Sequence, residues 1–73
     1  MEITSHLEDG DSELVITINE RFDFSQHRDF KEAYSSYNTP GTSFIVDLRK
    51  TEYMDSSALG MLLVLKEHAD AIG

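Results

Sequence analysis

At residues 54–60 the chain reads MDSSALG, and this stretch lies between a strand pattern and a helix pattern. Residues 43–48 before it form a nearly unbroken apolar run of strand length, and after it apolar residues recur at helical spacing. Asp55, Ser56 and Ser57 are therefore predicted at a helix N-terminus, where Asp and Ser accept hydrogen bonds from free backbone N–H groups. Because that position also favours added negative charge, a serine here is interpreted either as a helix cap or as an acceptor of phosphate.

The N-terminal part of the chain predicts a hairpin. Residues 2–8 alternate weakly between apolar and polar, residues 13–19 alternate more clearly, and residues 9–12 (DGDS) lie between them. Gly10 can adopt the positive φ that a tight turn needs. These segments are expected to form two antiparallel strands.

A helix is predicted next, with Asp23 or Ser25 as its cap. Its apolar face repeats at i, i+3, i+4 and i+7, in Phe30, Ala33, Tyr34 and Tyr37. Residues 38–42 (NTPGT) end it. The strand at 43–48 is apolar on both faces, which is typical of an interior parallel strand. With a second helix from about Ser57 to Ala71, the predicted class is α/β, a mixed sheet with helices in the order β-β-α-β-α.

The second helix carries more apolar surface than one core needs. Its predicted core stripe is Ala58, Met61, Leu62, Leu65 and Ala69. Leu59, Leu63 and Val64 lie off that stripe. We therefore expect a further C-terminal strand and helix to be missing, or another molecule to cover this surface. A homodimer or a domain swap of the short chain is one such arrangement.

Composition limits the function classes. The chain has 73 residues, 40% hydrophobic content and no cysteine, which predicts one small domain, no disulfide scaffold and no thiolate zinc site. The three histidines lack metal-ligand spacing, so neither a metal nor a cofactor is expected. A net charge of −8 disfavours nucleic acid and membrane surfaces; it favours a basic protein partner or serves only solubility. With no signal peptide and no apolar run long enough to span a bilayer, a cytoplasmic location is expected.

Two stretches resemble one known family. The strand Phe44–Leu48 followed by the motif Tyr53–Gly60 looks like the signature of the STAS domain family, and more narrowly resembles the bacterial anti-sigma-factor antagonists. The segment at residues 20–23 (ERFD) also resembles that family, which carries an aspartate at the position of Asp23. The resemblance covers residues 1–73 as a single STAS-like domain, but corresponds to only the first two-thirds of one. The family often has glycine where Ala58 and Glu20 stand.

The resemblance implies a partner switch. In such a switch the serine after the motif aspartate, here Ser56, is phosphorylated by a serine kinase that is also the anti-sigma factor. The unphosphorylated domain binds that kinase and thereby frees a sigma factor, the phosphorylated domain is released, and a protein phosphatase restores it. The expected partner surface comprises Asp23, Met54, Asp55, Ser57 and Leu59. The alternative is a scaffold of the same fold that docks on a larger signalling assembly and does not switch.

Several residues keep a structural interpretation beside the functional one. Ser57 is expected in a cap or first turn, and Asp55 either caps the helix or contacts the partner. Of Phe22 and Phe24, one is expected in the core and the other beside the loop. His27 is expected to pack with Phe30 and Tyr34.

No catalytic residue is predicted. A serine hydrolase would need a histidine beside Ser56 or Ser57. His68 lies 11 residues after Ser57 on the same helix, a separation of about 16 Å. The chain is therefore expected not to be an enzyme.

Overall fold

The computed structural model describes residues 3–10 and 12–72. The N-terminal hairpin consists of β1 (Ile3–Glu8) and β2 (Glu13–Ile18), which pair antiparallel. Between them Gly10 takes a φ of +64°, as the turn requires. The predicted hairpin is confirmed; residue 2 and Asp11, which also belonged to that prediction, lie outside the described residues.

Five further elements follow the hairpin, and two of them are strands that the sequence did not predict. They are β3 (Glu20–Phe22), α1 (His27–Tyr34), β4 (Ser43–Asp47), β5 (Thr51–Met54) and α2 (Ser56–Ile72). A short 3₁₀ turn, Phe24–Gln26, leads into α1. The unpredicted strands β3 and β5 pair with each other in a small parallel sheet. They are three and four residues long and half polar, so they carry little strand signal of their own.

The larger sheet has the order β1-β2-β4, with β2 and β4 parallel. The parallel pairing of the strand at 43–48 is confirmed, but burial on both of its faces is wrong. Within the described residues β4 is an edge strand, and Ile45 is 39% exposed. The reason is that apolar side chains on both faces allow a strand to be buried on both sides, but each face is buried only if another element packs against it.

The core lies between the two helices and one face of the large sheet. Register pairs such as Ile3↔Ile18 and Leu14↔Phe44 direct alternate side chains of the three strands to this face. The buried hydrophobic cluster comprises Ile3, Leu14, Ile16, Ile18, Phe22, Phe30, Tyr34, Ala58, Met61 and Leu65. The predicted stripe of α2 is thereby confirmed at its three most buried positions. Leu59, Leu63 and Val64 are exposed, as their places off the stripe predict.

His68 links the two helices from the side of α2. Its Nε2 lies 3.0 Å from the carbonyl oxygen of Tyr37 and donates to it. The ring packs on Tyr34 and Phe44, with centroid distances of 5.1 and 5.7 Å. This histidine therefore holds the C-terminal half of α2 against the segment that follows α1.

Candidate functional site

The site is at the carboxyl end of the small parallel sheet. Phe22 of β3 and Met54 of β5 are register partners, so the residues that follow them, Asp23 and Asp55, leave the sheet side by side. The backbone N–H of Asp55 also donates to the Phe22 carbonyl oxygen, with an N···O distance of 3.4 Å. The parallel pairing thus brings together two segments that are 32 residues apart in the chain and gives one end of the domain two adjacent aspartates.

Asp23 caps the first helical segment. Its carboxylate accepts hydrogen bonds from the Ser25 backbone N–H, at 2.9 Å, and from the Ser25 hydroxyl. The side-chain oxygen of Gln26 accepts in turn from the Asp23 backbone N–H, at 2.8 Å, which completes a capping box. Arg21 Nε lies 2.9 Å from the same carboxylate. The Ser25 hydroxyl first, and then the Ser25 N–H and Arg21, hold the pKa of Asp23 below its usual value against the opposing effect of burial.

The start of α2 is capped by Asp55. The Asp55 carboxylate accepts a hydrogen bond from the Ala58 backbone N–H at 3.2 Å, and the Asp55 carbonyl oxygen accepts from the same group at 3.1 Å. Ser56 is therefore the first helical residue rather than the cap. It is exposed, and no other described residue makes a hydrogen bond to its hydroxyl. Ser57, half-buried in the first turn, faces α1.

Exposed apolar side chains lie near Ser56. Leu59 and Leu63 lie three and seven residues further along α2, on the same side of the helix, and are 63% and 53% exposed. Met54, expected more often in a core, is exposed at the end of β5. Of the predicted partner residues, Asp23, Met54, Asp55 and Leu59 thus lie at the same end of the domain as Ser56. We call the exposed set Met54, Ser56, Leu59 and Leu63 the switch surface.

The sequence did not assign Phe22 and Phe24, on either side of Asp23, to the core or to the surface. Phe22 is fully buried, whereas Phe24 is 66% exposed, which settles a choice that strand alternation left open. His27 lies on the same side of α1 as Phe30 and Tyr34, as predicted, but it is exposed and stacks on Phe24 with a centroid distance of 5.3 Å instead of packing against those two rings. The reason is its place in the chain: His27 is the first residue of α1, where its ring meets the exposed ring of Phe24 from the preceding 3₁₀ turn.

The described residues form neither a metal site nor a membrane-spanning helix. Among them, no group of three or more His, Asp or Glu side chains is placed to hold a metal ion. Within residues 3–10 and 12–72, neither helix combines the length and the apolar content needed to cross a membrane.

Comparisons with known proteins agree with this architecture. A family model described as "Mlab, STAS domain" matches residues 5–73. A STAS-domain containing protein of Pseudomonas aeruginosa strain UCBPP-PA14 is 48% identical over 69 residues, which cover 94% of this chain and 68% of that protein. The solved structure of the anti-sigma factor antagonist SpoIIAA in its unphosphorylated form has a TM-score of 0.77 to this chain at 18% identity.

The SpoIIAA match is a match of fold, and it covers 96% of this chain and 64% of the SpoIIAA chain. This chain therefore spans a little under two thirds of that structure's length. The predicted α/β class, mixed sheet and order of the main elements are confirmed by it. The family model and the 48% identical relative confirm the resemblance found in the sequence. The chain belongs to the STAS domain family.

Proposed function

We propose that this chain is an anti-sigma factor antagonist that switches partners through phosphorylation of Ser56. The unphosphorylated chain binds an anti-sigma factor that is also a serine kinase, and phosphorylation releases it. A protein phosphatase then resets the switch, and the cycle controls how much sigma factor is free in the cytoplasm. The chain acts by binding, without catalysis of its own. The observation that carries this proposal is the exposed Ser56 hydroxyl, which no capping bond occupies because Asp55 caps α2.

Phosphorylation at this position has a clear physical effect. A phosphoserine adds about −1.5 to −2 charges at neutral pH. The domain itself tolerates this charge because Ser56 is at the N-terminus of a 17-residue helix, where the dipole and the free N–H groups favour an anion. A bound partner does not tolerate the phosphate, because it adds bulk and charge at the centre of the switch surface, beside Asp55. The modification therefore weakens the complex and leaves the fold intact.

The comparisons support the proposal at the level of family and fold. SpoIIAA is an anti-sigma factor antagonist, and the solved structure is that of its unphosphorylated form. Its fold matches that of this chain over nearly the whole chain. Ser56 also has the place in the motif that the family's acceptor serine takes, directly after the motif aspartate.

A second candidate function is a scaffold of the same fold that docks on a larger assembly without a phosphate switch. The observation that favours it is the apolar surface of α2, which continues to Leu63. Leu63 lies seven residues, or about 10 Å, along the helix from Ser56. A docking face of this kind can hold a partner by apolar contact alone.

One experiment separates the two functions. The tagged chain is expressed in its own cells, and extracts are run on a phosphate-affinity gel beside the variants Ser56→Ala and Ser57→Ala. The switch predicts a retarded band for the wild type and for Ser57→Ala, and its loss in Ser56→Ala. If all three proteins give a single unshifted band, even under growth conditions that change how much partner the chain binds, the chain is a scaffold that does not switch.

A further inference from the structure

A groove of about 550 Å³ separates α1 from α2 on the side of α2 that faces away from Leu59 and Leu63. Its floor is formed by the buried side chains of Phe30, Tyr34 and Met61. The volume is within the range of small-molecule sites, roughly 300–1,000 Å³, and an apolar floor is typical of them.

The rim of the groove is apolar and open to solvent. Phe24 stands at one side, 66% exposed and stacked on His27, and Val64 stands at the other, 50% exposed. Neither side chain is needed to close the core, because both leave half or more of their surface in water. An apolar body in the groove would cover these side chains and the floor beneath them together.

The charge of the groove is opposite in sign to that of the chain. The chain has 14 acidic and 6 basic residues, yet Lys31 is the one charged side chain among the described residues that line the groove. Arg21, Arg49 and Lys66 each pair with an aspartate at 2.8–3.0 Å, whereas the Lys31 ammonium has no carboxylate partner among the described residues. On the opposite wall Ser57 belongs to the first turn of α2, where the helix dipole is positive. Both features favour an anion.

Gly60 gives the groove part of its width. This glycine lies inside α2, where glycine destabilises a helix relative to alanine. A Cβ built at Gly60 meets no other group within 4 Å, so packing inside the chain does not require a glycine there. The missing side chain leaves open space on the α2 wall of the groove.

We propose that the groove between α1 and α2 binds an amphipathic organic anion. Its apolar body lies on Phe30 and Met61 between Phe24 and Val64, and its acidic group lies at Lys31. The site goes beyond the switch surface and does not depend on phosphorylation of Ser56. A ligand there would lie against Ser57 and so next to the switch surface, on the neighbouring side of α2.

The test is a titration of the ¹⁵N-labelled 73-residue chain with sodium octanoate, kept below its micelle concentration and followed by amide NMR. Acetate carries the same acid group without the apolar body, and octanamide carries the body without the charge. For a ligand of about ten non-hydrogen atoms a millimolar Kd is the expected scale. Saturable shifts should centre on Phe24, Lys31, Gly60 and Val64, with a weaker response to octanamide and none to acetate.

Two lysine variants supply the matched control. Lys31→Glu and Lys50→Glu change the net charge equally, and both lysines are exposed, but Lys50 lies in the turn between β4 and β5, outside the groove. Lys31→Glu should raise the octanoate Kd by about two- to fivefold, the scale of an exposed ion pair, and Lys50→Glu should leave it nearly unchanged.

Three outcomes of the octanoate titrations would overturn the proposal: equal effects of the two lysine variants, shifts that do not saturate, or shifts centred on Leu59 and Leu63. Gly60→Ala checks the shape of the site independently. Alanine should raise the Tm because it is the better helix former, and it should weaken octanoate binding because its methyl group enters the groove. A higher Tm with unchanged affinity would likewise overturn the proposal.

Discussion

The two helical segments of this domain begin with the same residue types but use them differently. At the first start, Asp23 accepts hydrogen bonds from the backbone N–H and the hydroxyl of Ser25, so the serine belongs to the cap. At the second start, Asp55 bonds to the backbone N–H of Ala58 and leaves Ser56 exposed. Ser25 stands two residues after its aspartate and Ser56 stands one residue after, so the difference teaches that a serine close behind an aspartate at a helix start is not available by that fact alone. What decides it is the group that donates to the aspartate side chain, which is the serine itself at Asp23 and the Ala58 backbone N–H at Asp55.

The charges of the two starts differ as well. Arg21 lies 2.9 Å from the Asp23 carboxylate and balances its charge, whereas Asp55 has no ion pair among the described residues. A negative charge added at the start of α2 therefore lies next to an unbalanced carboxylate, and one added near Asp23 lies next to a cation. A phosphate at Ser56 should thus leave more negative charge uncompensated than a phosphate at Ser25.

The largest expected effect is on partner binding. Ser56→Asp should weaken binding of the anti-sigma partner more than tenfold, a loss of about 1.4 kcal/mol or more, because charge and bulk enter the switch surface. Calorimetry with the partner captured by the unphosphorylated chain measures it. Ser36→Asp adds the same charge at an exposed site after α1 and serves as the control. Equal affinity for Ser56→Asp and the wild type would place the interface elsewhere.

The second prediction compares the two serines by the same substitution. Ser25→Ala should destabilise the fold by about 0.5–1 kcal/mol, because it removes the hydroxyl bond to Asp23. Ser56→Ala should change stability by a few tenths of a kcal/mol at most, in the stabilising direction, because alanine is the better helix former. Urea unfolding of both variants gives the values. A larger loss of unfolding free energy for Ser56→Ala would mean that the Ser56 hydroxyl is part of the cap, and the two helix starts would then not differ as described.

A third prediction concerns whether two copies of the chain associate in solution. β4 is an edge strand within the described residues, and Leu59, Leu63 and Val64 are exposed, so association between chains is expected. If folding is linked to dimerisation, tenfold dilution should lower the Tm by about 3–6 °C. Light scattering checks the mass directly. A Tm that does not depend on concentration, together with a monomer mass, would contradict this prediction.

The fourth prediction is a pH effect confined to the first helix start. The pKa of Asp23 is held down mainly by the Ser25 hydroxyl, so Ser25→Ala should move it up towards the ordinary value. Asp47, whose pKa is lowered to about 2 chiefly by hydrogen bonding from the Arg49 side chain, should not move and serves as the internal control. Carboxyl NMR titration measures both. An unchanged pKa of Asp23 would show that another group lowers it.

The sign of the linked stability follows from these shifts. A carboxyl group whose pKa is depressed by folding stabilises the fold fully above its unfolded value, near 3.8 for aspartate. That contribution is lost as the pH falls through the folded value. For Asp47 the loss should therefore fall between about pH 4 and pH 2. Asp47→Asn should remove this part of the acid unfolding curve.

The smallest expected effect concerns Glu20, at the beginning of β3. Its φ of +68° lies in the left-handed region, where a non-glycine residue is strained, and the pairing of β3 with β5 shifts register at this point. The glycine often found here in the family suits that backbone. Glu20→Gly should raise the Tm slightly, since relief of strain is partly offset by the greater freedom of glycine in the unfolded chain. A lower Tm would show that the Glu20 side chain itself stabilises the fold.

The sequence predicted the hairpin, both helices and the core side of α2, because each of these is a long periodic pattern. It did not predict β3 and β5, because short half-polar strands are stabilised by pairing with each other across the chain. For the same reason, the adjacency of Asp23 and Asp55 came from the family resemblance and not from spacing. Nor could the sequence choose between Asp55 and Ser56 as the cap of α2, because both residue types accept the same hydrogen bonds.

The central claim is that the cap bond of Asp55 leaves Ser56, and no other serine at a helix start, open to modification. Tandem mass spectrometry of the chain recovered from its own cells, under conditions in which the phosphate-affinity gel shows a shifted band, tests this most directly. The claim predicts one phosphate, on Ser56, with Ser25 and Ser57 unmodified. Phosphate on Ser57 or Ser25 in a chain whose Ser56 is intact would contradict it.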